Sequence, residues 1–90
     1  MNSQNYFDAS SSKTDTGINS FVYNIIGVNQ ADNRNYKDAL ELFTEAIKLN
    51  PNDSVAFFNR ASIEMQLGLY KEARKDFKES AKLELNSDFG

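Results

Sequence analysis

The chain has no cysteine and no histidine. Without cysteine, no disulfide can staple a small fold and no thiolate can hold a metal. Without histidine, the commonest general base and the commonest zinc ligand are missing. A basic excess is lacking too: 10 Lys and Arg stand against 13 Asp and Glu, a formal charge of −3. Nucleic acid is therefore not the expected partner, because phosphate binding needs clustered cations. No apolar run approaches the ~20 residues of a membrane span. The opening residues Met1 to Asn5 have neither the basic start nor the apolar core of an export signal, so the expected location is cytoplasmic, with no membrane partner. There is no Gly-rich phosphate loop, and no nucleophile has a base beside it. The expectation is a non-enzymatic chain with no catalytic residues, no cofactor and no metal. Asp88-Phe89-Gly90 has the letters of a kinase metal-binding motif without the rest of a kinase around it.

What the chain does have is an internal repeat. Residues 36–53, YKDALELFTEAIKLNPND, reappear 34 residues later as YKEARKDFKESAKLELNS. Tyr36 meets Tyr70, Lys37 meets Lys71, Ala39 meets Ala73 and Phe43 meets Phe77. Glu45, Lys48, Leu49 and Asn52 meet Glu79, Lys82, Leu83 and Asn86. A fixed period of this length marks a helical array.

Taken in order, residues 1–18 are polar and turn-rich, with Tyr6, Phe7 and Ile18 as their large apolar side chains. They predict a disordered tail. A first helix is expected after Asn19 or Ser20, either of which can serve as N-cap. Its apolar residues are dense enough to predict burial on much of its circumference, and Gly27 in its middle predicts close approach of another helix. The second helix is expected from Tyr36 to about Leu49, with Asn35 and Asp38 as a capping box. Its Ala39, Leu42, Phe43, Ala46 and Ile47 follow helical spacing, and Asn50-Pro51 ends it. Asp53 caps a third helix, closed by Gly68. A fourth runs from Tyr70 to about Leu85. The expected organisation is a tail over 1–18, a domain over 19–87 made of repeats 20–53 and 54–87, and a frayed end over 88–90.

Helix, turn, helix at this period resembles the tetratricopeptide repeat family. The first repeat supplies the large, small and aromatic pattern through Tyr23, Gly27, Tyr36, Ala39, Phe43, Ala46 and Pro51; the second supplies it through Phe57, Ala61, Tyr70, Ala73, Phe77 and Ser80. The resemblance implies an all-α fold of two stacked helix-turn-helix hairpins in a superhelical arc. It also implies small residues where the helices of a hairpin cross, with Tyr36, Phe43, Tyr70 and Phe77 filling the space around them. Leu85 departs from the pattern by standing where proline would end the second repeat, which lets the last helix run on. Arg60 departs from it at a usual apolar position. Asn59-Arg60-Ala61 followed by Leu67-Gly68 and Tyr70 is similar to the second repeat of co-chaperone domains that grip the acidic C-terminal tail of Hsp70 or Hsp90. Of that clamp only Asn59 is present; Asn24 and Val28 stand at the first-helix positions and none of its cations is matched.

The resemblance places Phe21, Asn24, Val28, Phe58, Asn59, Ser62 and Met65 in a groove formed by the first helix of each hairpin. Phe21, Val28, Phe58 and Met65 would make an apolar strip, with the amides of Asn24 and Asn59 free to bond a peptide backbone. The implied function is a protein-interaction adaptor or scaffold that binds a peptide or helix of a partner protein. The alternative is a structural subunit that self-associates, as a homodimer or within a larger assembly. Its candidate interface is Phe77, Ala81, Leu83 and Leu85 on the last helix, since natural arrays usually cover that end with a further helix. A piece of a longer array is a further reading of that exposed end, and a fragment of a chaperone-tail-binding co-chaperone ranks behind these. Lys71, Lys75, Lys78 and Lys82 form a basic row on the same helix. Glu72, Asp76, Glu79 and Glu84 sit among them in sequence, which favours a solvated outer face.

Overall fold

A computed structural model describes residues 16–89, with the side chains of 19–86. Among these residues there are four helices: α1 (Thr16–Asp32), α2 (Tyr36–Leu49), α3 (Ser54–Gln66) and α4 (Tyr70–Phe89). The expected tail falls largely on residues 1–15, outside the described residues. α1 packs on α2 and α3 on α4, giving two hairpins. The hairpins meet mainly through α2 and α3, with α1 also touching α3.

The helix ends follow local chemistry. Asp53 caps α3 by accepting a bond from the Ala56 N–H at 3.1 Å. At the other end Gly68, with φ +79°, takes the left-handed conformation. The N–H groups of Gly68 and Leu69 then donate to the carbonyls of Met65 and Glu64, a Schellman closure that satisfies the last carbonyls. The turn between α1 and α2 uses the same bonds, Arg34 N–H to Ala31 and Asn35 N–H to Gln30. There the left-handed residue is Arg34, φ +67°.

Two expected caps do not form. α1 begins at Thr16, so Asn19 and Ser20 lie inside it; Ser20 is buried and donates its hydroxyl to Asp53. Asn35 precedes α2, but its side chain makes no capping bond. Its amide instead donates to Gln30 Oε1 at 2.8 Å, so there is no capping box with Asp38.

The core sits where α1, α2 and α3 converge. Ala39, Phe43 and Ile63 are buried there, with Ala31, Tyr36, Leu40 and Leu67 packed against them. Gly27 explains how α1 comes so close. A Cβ at that position would lie 2.5 Å from Phe43 Cε1, so the ring occupies the space that any side chain would need.

The dense apolar sequence of α1 is not buried on most sides. Phe21, Val22, Ile25, Ile26 and Val28 are all exposed, because α2 and a lighter contact with α3 cover only part of its surface. Tyr70 is likewise exposed, where its counterpart Tyr36 packs on the core. Without proline at 85, α4 continues to Phe89. No helix among the described residues is long and apolar enough to cross a membrane.

Candidate functional site

α1 carries apolar residues at one-turn intervals on the side that flanks a cleft shared with the start of α3. Phe21, Ile25 and Val28 are spaced i, i+4 and i+7 along α1, so they share a face. Val55 opens α3 opposite them. These side chains border a cleft of about 510 Å³ whose polar wall is Asn24, Asn50, Asp53 and Asn59. Phe21, Ile25 and Val55 are each more than half exposed. Large apolar side chains left open around a concavity are what an apolar ligand group would cover.

The polar wall is already engaged in part. Asn24 is buried, and its amide donates to Asp53 Oδ2 at 2.8 Å. Its carbonyl oxygen accepts a long bond, 3.5 Å, from the Asn59 amide. Asp53 also accepts from Ser20 Oγ and caps α3. Asn24 is therefore a brace between the hairpins, not the free amide expected. Asn59 keeps its carbonyl oxygen and a second amide hydrogen, so it is the side-chain amide able to pair with a ligand backbone.

The cleft thus brings together Phe21, Asn24, Val28 and Asn59 of the expected groove. Phe58, Ser62 and Met65 lie outside it, farther round α3. Phe58 sets its ring edge-on to Phe77 of α4, with centroids 5.5 Å apart. Ser62 donates its hydroxyl to the Phe58 carbonyl at 3.1 Å. Phe58 and Met65 remain about half exposed and form a second apolar strip beside the first. Ile25, Asn50 and Asp53 were missing from the expected groove. The i+4 spacing from Phe21 would have found Ile25; the partners of Asp53 lie on another helix, and no local pattern reveals them.

Arg60 has a structural task. It bonds Asp76 on α4 through two nitrogens, Nε to Oδ2 at 2.7 Å and Nη2 to Oδ1 at 3.0 Å. A third nitrogen donates to Thr44 of α2 at 3.3 Å, and the guanidinium lies 5.7 Å from the centre of the Phe57 ring. One side chain therefore ties α2, α3 and α4 together, and its bonds to Asp76 hold the guanidinium firmly charged. Glu64, one turn on, approaches Arg60 at 3.6 Å, and its Oε1 is buried with no partner. Burial first, then the neighbouring Asp76, pushes the Glu64 carboxyl up to about 8, against the opposing pull of Arg60.

A larger hollow of about 640 Å³ lies beside α2 among Asp38, Glu41, Glu45 and Lys48. Gln30, Leu42 and Thr44 complete its walls, and the charged side chains Asp38, Glu41 and Lys48 are exposed, so it is an open polar hollow on the outer side of α2. The expected interface on α4 is uneven: Leu85 and Ala81 are exposed, Leu83 is half-buried, and Phe77 is half-covered, with Phe58 against it.

A family model described as Tetratricopeptide repeat matches residues 26–84. The chain is 42% identical over 50 residues to the human Small glutamine-rich tetratricopeptide repeat-containing protein beta, a match covering 56% of this chain and 16% of that protein. It is 39% identical over 51 residues to Small glutamine-rich tetratricopeptide repeat-containing protein 2 of Mycosarcoma maydis, covering 57% of this chain and 14% of the relative. It is 43% identical over 49 residues to Hsp70-Hsp90 organizing protein 2 of Arabidopsis thaliana, covering 54% and 9%. The match therefore spans a small part of each relative.

Proposed function

The chain belongs to the tetratricopeptide repeat family, and from that premise we propose that it is a non-enzymatic interaction module. Its ligand is a segment of a partner protein seated between α1 and α3. The observation that carries this reading is the open apolar cleft of Phe21, Ile25, Val28 and Val55 beside the available amide of Asn59. Apolar anchors of an extended or helical segment would fill the cleft, and Asn59 would fix its register. Phe58 and Met65 extend the surface for a longer ligand.

The name of the Arabidopsis relative raises chaperone tails as a second reading. The charge of the cleft opposes it. Among the described residues Asp53 is its one charged wall residue, and an acidic C-terminus would meet that carboxylate with no described cation on the wall to offset it. Self-association through α4 is a third reading, favoured by the exposure of Leu85. Light scattering across a concentration range tests it, since a monomer throughout would exclude it.

Selection of displayed random peptides on the purified chain tests the main proposal. Peptides with apolar anchors should be enriched. They should bind about tenfold more weakly to Val55→Asp and measurably more weakly to Asn59→Ala, with helicity unchanged. No enrichment, or peptides that ignore both substitutions, would overturn it.

A further inference from the structure

The outer face of α4 carries Lys71, Arg74, Lys75, Lys78 and Lys82, half of the chain's 10 cations. At 3.6 residues per turn these five fall within an arc of about 100° and along about 17 Å of helix axis. All five are exposed, and none forms an ion pair among the described residues. Of the four carboxylates that stand among them in sequence, two turn away in space. Asp76 is buried on Arg60, and Glu84 accepts a bond from the Ser54 hydroxyl. Helical spacing puts Glu72 and Glu79 just outside the arc, where they border the shallow hollows beside Lys75 and Lys78.

The other repeat shows that the fold does not require this. The same arc on α2 holds Lys37, Leu40, Glu41, Thr44 and Lys48. It mixes signs, and its Lys48 pairs with the neighbouring Glu45. Leu40 and Thr44 use it to meet α3: Leu40 packs against the core that includes Ile63, and Thr44 accepts from Arg60. On α4 those places are taken by Arg74 and Lys78, whose burial against another repeat would strand two charges. The face is thus unsuited to stacking a further hairpin of this kind. It also sets like charges one turn apart, which weakens a helix that gains nothing in return. Leu85 lies within the arc, exposed, and joins Ala81, Lys78 and Lys82 around a shallow hollow.

We propose that this face is a second interaction surface, separate from the α1–α3 cleft, and that it takes an acidic amphipathic helix of a partner protein. Carboxylates one turn apart on such a helix would match the one-turn spacing of the cations, and an apolar side chain would cover Leu85. The flanking Glu72 and Glu79 discriminate against the continuous charge of a nucleic-acid backbone.

The test uses three fluorescent probes with the full chain. They are a helical peptide of about 16 residues with Glu at one-turn spacing and a Leu flank, the same peptide with Gln for Glu, and a single-stranded oligonucleotide of similar span. The Glu peptide should bind at least about tenfold more tightly than the other two and weaken as salt rises. Lys75→Gln/Lys78→Gln should lose that preference, and Lys75→Glu/Lys78→Glu should abolish binding, with helicity preserved in both. Val55→Asp should leave binding intact, which separates this surface from the cleft. Equal binding of the Glu and Gln peptides, preference for the oligonucleotide, or indifference to the lysine substitutions would overturn the proposal.

Discussion

Phe43 and Phe77 hold the same place in two hairpins, yet Phe43 is 1% exposed and Phe77 is only half-buried. Tyr36 packs on the core while Tyr70 is 64% exposed. Gly27 gives way to Ala61, Ile26 to Arg60, and Arg34 to Gly68. The repeated residues are alike; their neighbours are not. The second face of α2 is covered by α3, whereas among the described residues no helix covers the outer face of α4. A repeat residue therefore has no fixed energetic worth, because its burial depends on the element next to it.

Substitutions can break this comparison at graded depths. Phe43→Ala should cost about 4 kcal/mol in urea denaturation, and Phe77→Ala about half of that. Equal costs would mean that the two hairpins are equivalent after all. Asp76→Ala should cost about 3 kcal/mol, because it leaves the Arg60 charge without its main partner. By contrast Lys48→Ala, which removes an exposed pair, should change stability by less than about 0.5 kcal/mol.

The Arg60 cluster also predicts a pH dependence with no counterpart in the first hairpin, where Gln30 stands in place of Glu64. The Glu64 carboxyl is raised from an ordinary 4.5 to about 8, so between those values the folded chain holds a proton that the unfolded chain releases. Stability should fall as pH rises through that window and level off above it. Glu64→Gln should flatten the dependence, as read from urea midpoints at about pH 5 and about pH 8.

Gly27→Ala should cost about 2 kcal/mol through the clash with Phe43. The reverse change, Ala61→Gly, should cost about 1 kcal/mol through backbone entropy alone. One effect has the opposite sign. Arg34→Gly should raise stability by up to about 1 kcal/mol, because glycine relieves the left-handed strain that Gly68 avoids in the second turn.

The sequence made the helices, their order and the packing of Gly27 legible, since each rests on local periodicity or on the 34-residue match. Asp53 as a cap and Gly68 as a stop were legible for the same reason. What sequence could not show was direction. Asp76 and Glu84 read as neighbours of the α4 lysines, but they turn to Arg60 and Ser54. Asn24 read as a free amide and is spent on Asp53. Arg60 read as a departure from the family pattern, and its partners lie 16 residues away in both directions. In each case a polar side chain chose a partner on another helix, which periodicity cannot encode.

Asp53 sits at the start of α3, yet its carboxylate also receives Ser20 and Asn24 from α1. When α3 unravels from its first turn, α1 loses its brace in the same event. Asp53→Ala should therefore loosen both hairpins together and broaden the melting transition, while the α2–α3 packing still joins them. The group that starts one helix thus also couples the two hairpins, alongside the α2–α3 packing and the Arg60 bonds.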